Sequence, residues 1–229
     1  MGLRVESALA LGCWLFVACQ APDAGEPELV ELSPAQAETD QQPAGSLWLG
    51  STELRDVVAT ARGPAATFAV TAGGALVRLA GGRSTTLLVG ALGRPAALPD
   101  GGVVVARHSD EPGETDLWLV SAAGSARALA SAPGPDDLPI AIPDGRVAFV
   151  SARTSVASLW VVDPGSDAPP RQLTNRGLAA GGARVGFVPP PVEVIEATHD
   201  HLVYDAGGGA RWRVALADGA ASPSPEGAR

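Results

Sequence analysis

The side chains in this chain that can do chemistry are few. There are three histidines and two cysteines. His199-Asp200-His201 sets two imidazoles on alternate residues, the spacing that puts both on one face of a strand and so could hold a metal. No third ligand lies at useful spacing, however, and Asp200 aligns with Asp100 and Asp144 in an internal repeat. The tripeptide therefore reads as a hairpin turn. His108 stands alone at a strand end. Asp110, Glu111, Glu114 and Asp116 crowd one loop around Gly113. Such a set of oxygens is the kind that binds calcium. The spacing is not that of an EF-hand, and the matching loop, residues 152–158, holds no acid, so this one reads as a solvated loop. No G-x-S-x-G elbow, no phosphate-cradling glycine loop and no Cys–His pair occurs in the mature chain. We expect no catalytic residue, no metal and no cofactor.

The one reactive position with a strong local context is Cys19. Arg4 supplies a positive charge, and an apolar run from Ala8 to Ala18 follows it. Roughly 20 apolar residues are needed to span a bilayer, so this run is too short, but it has signal-peptide length. A small residue, Ala18, precedes Cys19, and Gln20 follows. Phe16-Val17-Ala18-Cys19 resembles the lipobox of bacterial lipoproteins. That resemblance implies cleavage before Cys19 and a diacylglycerol on its thiol, so that the chain is held to the membrane through an N-terminal lipid. Gln20 in place of Asp implies, by the enterobacterial sorting rule, the outer membrane, facing the periplasm or the cell surface. An ordinary secretory signal cut after Ala18 or Ala21 is the other reading. Cys13 leaves with the signal in either case, so the mature chain builds no internal disulfide. A lone exported thiol is reactive unless something occupies it, as acylation would.

Residues 19–45 read as an acidic, disordered tether. They carry Asp23, Glu26, Glu28, Glu31, Glu38 and Asp40 and no basic residue, against a net charge of −9 for the whole chain. Such a composition buries too little apolar surface to offset ordering entropy. The rest of the chain contains no lysine and no cluster of arginines. Nucleic acid is excluded as a partner on that ground, because phosphate contacts require basic patches.

The elements that must position any site follow from internal repeats. Pro95-Ala96-Ala97-Leu98-Pro99-Asp100-Gly101 matches Pro139-Ile140-Ala141-Ile142-Pro143-Asp144-Gly145 at a spacing of 44. Asp116-Leu117-Trp118-Leu119-Val120 matches Ser158-Leu159-Trp160-Val161-Val162 at 42, and Arg127-Ala128-Leu129-Ala130 matches Arg171-Gln172-Leu173-Thr174 at 44. Weaker copies flank these, around residues 75–88 and 199–214. Each unit holds four short apolar runs separated by turn residues, the pattern of a β-propeller blade. Asp144-Gly145 predicts a tight hairpin. Trp48, Trp118, Trp160 and Trp212 are expected at equivalent strand positions as packing residues. The unit from Pro139 through Asp144-Gly145, Ser151-Ala152-Arg153 and Leu159-Trp160 to Arg171-Gln172-Leu173-Thr174 resembles the WD40-like, TolB-type propeller repeat.

The fold class expected is all-β: a small propeller-like domain over residues 46–219, with four blades of four antiparallel strands. It follows a signal peptide (1–18) and the tether (19–45), and residues 220–229 form a disordered tail. The fourth unit lacks a last strand, while residues 46–50 are a spare Leu-Trp strand, so we expect that strand to complete the fourth blade and close the ring. An open arc of blades is the competing arrangement. Residues 177–191 exceed the repeat by about a dozen positions. Within them Arg184, Phe187, Val188, Pro189 and Pro190 form a stiff, apolar candidate partner-binding loop. The TolB-type resemblance implies a non-enzymatic protein-binding or scaffold role with an envelope protein partner. The alternative is a hydrolase-type or carbohydrate-related enzyme or accessory subunit with carboxylates gathered at the propeller channel. Carboxylates converging at the channel mouth would separate the two.

Overall fold

Asp-Gly turns set the register of the hairpins. Gly145 sits at φ +95°, where a side chain would be strained, and its N–H returns to the carbonyl of Ile142. The Asp144 carboxylate accepts from the backbone N–H of Arg146, and Asp100 does the same for Gly102. The computed structural model describes residues 45–49, 52–175, 178–179 and 190–224, and every regular element among them is a strand.

The first sheet holds β1 (Gly45–Leu49), β2 (Thr52–Arg62), β3 (Thr67–Thr71), β4 (Ala75–Ala80) and β5 (Arg83–Val89), in that order. The second holds β6 (Leu92–Ala97), β7 (Val103–His108), β8 (Thr115–Val120) and β9 (Ala126–Ala130). The third holds β10 (Asp136–Ala141), β11 (Val147–Ser151), β12 (Ser158–Val162) and β13 (Arg171–Gln172). A two-residue ladder follows, β14 (Thr174–Asn175) with β15 (Leu178–Ala179). The fourth sheet holds β16 (Glu193–Ala197), β17 (His201–Asp205), β18 (Arg211–Ala215) and β19 (Ala221–Pro223). All pairings within the sheets are antiparallel meanders, so the expected four blades of four strands are present, the first with β1 added.

Alternation across β7, β11 and β17 builds the core, because successive side chains leave opposite faces of a sheet. Phe68, Val70 and Leu76 of the first sheet pack on Val103, Val105 and Val120 of the second. Val104, Ala106 and Leu117 turn the other way, onto Val147, Phe149, Trp160 and Val162 of the third. Ala148, Leu159 and Val161 then meet Leu202, Tyr204 and Val214 of the fourth. The middle strands are buried on both faces and accordingly read as unbroken apolar runs. Among the described residues no such cluster joins the fourth sheet to the first.

Two expectations are corrected. The strand at residues 46–50 does not complete the fourth blade: β1 pairs with β2, through Leu47↔Leu54, Trp48↔Glu53 and Leu49↔Thr52. A two-residue link makes that local hairpin far cheaper to close than a pairing across the whole domain. Trp48 therefore has no equivalence to Trp118, Trp160 and Trp212, and Val77 holds their position in the first sheet. The fourth sheet supplies its own last strand from residues assigned to the tail: Trp212↔Pro223, Arg213↔Ser222 and Val214↔Ala221. Asp218-Gly219 makes the turn, with Gly219 at φ +75° and the Asp218 carboxylate accepting from Ala220 N–H. Pro223 fits because an outermost strand tolerates a missing donor.

Candidate functional site

β2 of the first sheet and the leading strands of the other three, β6, β10 and β16, each carry a bulge, between Val57 and Ala59, Leu92 and Pro95, Asp137 and Ile140, and Val194 and Glu196. A bulge re-aims side chains and is common beside functional sites. Residues at or beside the bulges line one cavity of about 340 Å³: Val58 to Thr60 from β2, Arg94 and Pro95 from β6, Leu138 to Ile140 from β10, and Glu193 and Val194 from β16. This cavity is the propeller channel. Apolar side chains, among them the exposed Val58, share its walls with Thr60, Arg94, Glu193 and backbone polar groups.

Two charges stand in that lining. The Arg94 guanidinium donates to Glu193 Oε1 at 2.7 Å, with the two side chains 61% and 54% exposed. The pair joins the second sheet to the fourth. Leu138 in the wall has φ +52° and donates its N–H to the Asp137 carboxylate at 2.6 Å. Asp56, beside the β2 bulge, has φ +57°. Branched or charged residues in this left-handed region are strained, and such strain gathers at functional sites.

The residues singled out from sequence lie elsewhere. His199 and Asp200 occupy the β16–β17 turn and His201 opens β17; Thr198 Oγ1 accepts from Asp200 N–H and His201 N–H and meets His201 Nδ1 at 2.9 Å. The two imidazoles share no metal-holding group with a third ligand among the described residues. His108 Nδ1 lies 3.0 Å from Thr115 Oγ1. Asp110, Glu111, Glu114 and Asp116 line an open surface concavity, and Glu114 spends its carboxylate on the backbone N–H of Gly134 at 2.9 and 3.1 Å. Of the candidate partner loop, only Pro190, half-buried, is described. Arg184, Phe187, Val188 and Pro189 lie outside the described residues, as does Cys19.

Two arginines that sequence reasoning left without a role cap the repeat tryptophans. Arg107 sits 4.6 Å over the Trp118 ring, and Arg153 sits 4.8 Å over Trp160 and 5.4 Å over Phe149. Arg153 also pairs at 2.5 Å with Asp136, which is wholly buried, and its Nε donates to Ser151 Oγ at 3.0 Å. The Ser151-x-Arg153 spacing of the repeat was the available signal for this tie. Near the surface, the hydrogen bond from Arg146 holds the Asp144 carboxyl below its usual range, against a smaller opposing effect of burial. A lowered pKa in the folded state stabilises at neutral pH and is lost as pH falls below the ordinary carboxylate range. For a surface pair the loss is at most about 1 kcal/mol. Arg146→Ala should therefore shift the neutral-pH melting temperature by no more than a few degrees and flatten its fall between about pH 5 and pH 3. Burial pushes the Tyr204 hydroxyl up, so it stays neutral within the core.

No family model matches this chain, and no curated protein matches it. Among solved structures it is similar to a TolB-type protein of Agrobacterium tumefaciens, at 18% identity and a TM-score of 0.51 over 69% of this chain. The chain spans 60% of that protein's length. It is also similar to the β-propeller domain of the Trilobed protease from Pyrococcus furiosus, at 12% identity and a TM-score of 0.48 over 81% of this chain and 58% of that one. A puromycin-hydrolyzing peptidase of Mycobacterium tuberculosis is similar at 19% identity and a TM-score of 0.44, over 69% of this chain and 24% of that one. At 18% identity the likeness to the first of these shows the fold alone, a β-propeller, and fold does not fix function.

Proposed function

We propose that this protein is a lipid-anchored cell-envelope lipoprotein whose propeller domain is a non-enzymatic binding or scaffold module. The observation that carries the second half is the state of the channel. Among its described lining residues Glu193 is the one carboxylate, and it is engaged by Arg94. General acid–base work by carboxylates uses a separated pair with unlike environments. The TolB-type likeness of the fold supports a protein partner in the envelope. The lipid anchor rests on Arg4, the apolar run and the sequence around Cys19.

Two measurements test this reading. Cys19→Ser should move the full chain from the membrane pellet to the soluble fraction, because a lipoprotein's several acyl chains are what anchor it stably. Unchanged retention would overturn the anchor. The partner is expected on the loop at residues 184–190. Cross-linking in intact envelopes should trap a defined protein with the natural chain and lose it in the Phe187→Ser/Val188→Ser variant. Equal trapping by both would move the partner surface away from that loop.

A further inference from the structure

We infer that the channel cavity binds a free, zwitterionic amino acid with an apolar side chain, held between Arg94 and Glu193. This does not rest on the lipoprotein or partner reading.

The volume, about 340 Å³, is at the small end of ligand pockets and suits one residue-sized molecule. Val58, Pro95, Leu138, Pro139, Ile140 and Val194 bring apolar side chains to the walls, which gives a ligand's apolar body a place to pack. The polar side chains in the lining are Thr60, one cation and one anion, and the last two decide the ligand's charges. A ligand bearing only a carboxylate would take Arg94 and leave Glu193 without its partner beside a second negative charge. A ligand bearing only an amine would strand Arg94 in the same way. A zwitterion leaves neither charge unpaired: its carboxylate takes the Arg94 guanidinium and its ammonium takes Glu193. The guanidinium fork matches a carboxylate with two parallel hydrogen bonds.

The ligand's route in is the existing ion pair. Arg94 and Glu193 touch at 2.7 Å, yet both are more than half exposed. A solvent-exposed pair of long side chains opens at little cost. Insertion exchanges one exposed ion pair for two, in a cleft where contact with the ligand's side chain releases water to bulk. The walls themselves are held in place. Leu138 keeps its left-handed conformation through the Asp137 carboxylate, and Ile140 and Val194 pack against the cluster between the third and fourth sheets.

Titration calorimetry on the soluble chain tests this with L-leucine, N-acetyl-L-leucine, leucine methyl ester and tri-leucine. L-leucine should bind. The acetylated form, lacking the ammonium, and the ester, lacking the carboxylate, should each bind at least about tenfold more weakly, as for loss of a charge-assisted bond. Tri-leucine, whose charges lie too far apart, should also bind more weakly. Arg94→Ala should abolish leucine binding. Glu193→Gln should bring leucine down to the level of its acetylated form. Both variants change exposed side chains, so unaltered melting temperatures will show intact folds. No heat from leucine, valine or phenylalanine at about 10 mM, a concentration that reveals even millimolar affinity, would overturn the proposal. So would binding that survives Arg94→Ala in a folded variant, or tri-leucine binding as well as leucine.

Discussion

Arg153→Met is expected to lower the melting temperature by roughly 6–20 °C, equivalent to about 3–5 kcal/mol in a domain of this size. Asp136 has no exposed surface, and Arg153 is its ion-pair partner at 2.5 Å. Its second oxygen is buried and has no hydrogen-bond partner. Removing the guanidinium leaves a buried carboxylate with nothing to balance it, which is the costly way to break such a pair. The stacking on Trp160 and Phe149 goes with it, between the second and third sheets. Arg153→Lys should recover part of the loss at most, since a point charge cannot serve the carboxylate, the Ser151 hydroxyl and the ring faces together. The Asp136→Leu/Arg153→Met double variant should melt well above Arg153→Met, because it leaves no unpaired charge. Thermal melts of the four proteins followed by circular dichroism decide this. A single variant within about 2 °C of the natural chain would mean that water reaches Asp136 and that the pair is not a tie.

What was legible in the sequence was whatever repeats or is local. Asp100-Gly101 and Asp144-Gly145 are turns because Asp accepts from the backbone two residues on and Gly takes positive φ. The middle strands were visible as runs such as Val103-Val104-Val105-Ala106, apolar at every position because both faces are covered. Trp118, Trp160 and Trp212 were visible as one repeated position. Asp218-Gly219 carries the same turn signal as the others, but Ser222-Pro223-Ser224-Pro225 after it has the composition of a tail; proline disqualifies an inner strand, not an outermost one. A spare strand and a vacant position in the repeat suggest a distant partner for β1, but its two-residue link to β2 offers a nearer one. The channel pair was not legible at all. Arg94 and Glu193 are 99 residues apart, and neither sits in a pattern that distinguishes it from a surface charge. Only the stacking of four sheets brings β6 and β16 to one cavity.

The same position in consecutive sheets gives the second large effect. Val161 lies opposite Ala148 in the third sheet, and Arg213 lies opposite Val203 in the fourth. Likewise Leu159 lies opposite Val150, where the fourth sheet has Arg211 opposite Asp205. The second sheet has Leu119 and Leu117 at these places. So the face turned toward the next sheet is apolar in the second and third sheets and carries two exposed arginines in the fourth. A repeat array ends in this way, with a terminal unit whose outer face is polar. Val161→Arg should therefore unfold the domain, since it places an unpaired charge between the third and fourth sheets at a cost above about 4 kcal/mol. Arg213→Val, the reverse exchange at the equivalent place, should change stability by no more than about 0.5 kcal/mol and the melting temperature by about 2 °C or less. Circular dichroism melts of the two variants give the contrast directly. A clear rise in melting temperature for Arg213→Val would mean instead that the outer face of the fourth sheet packs on the first, where the added methyl groups would be buried and the ring closed without β1.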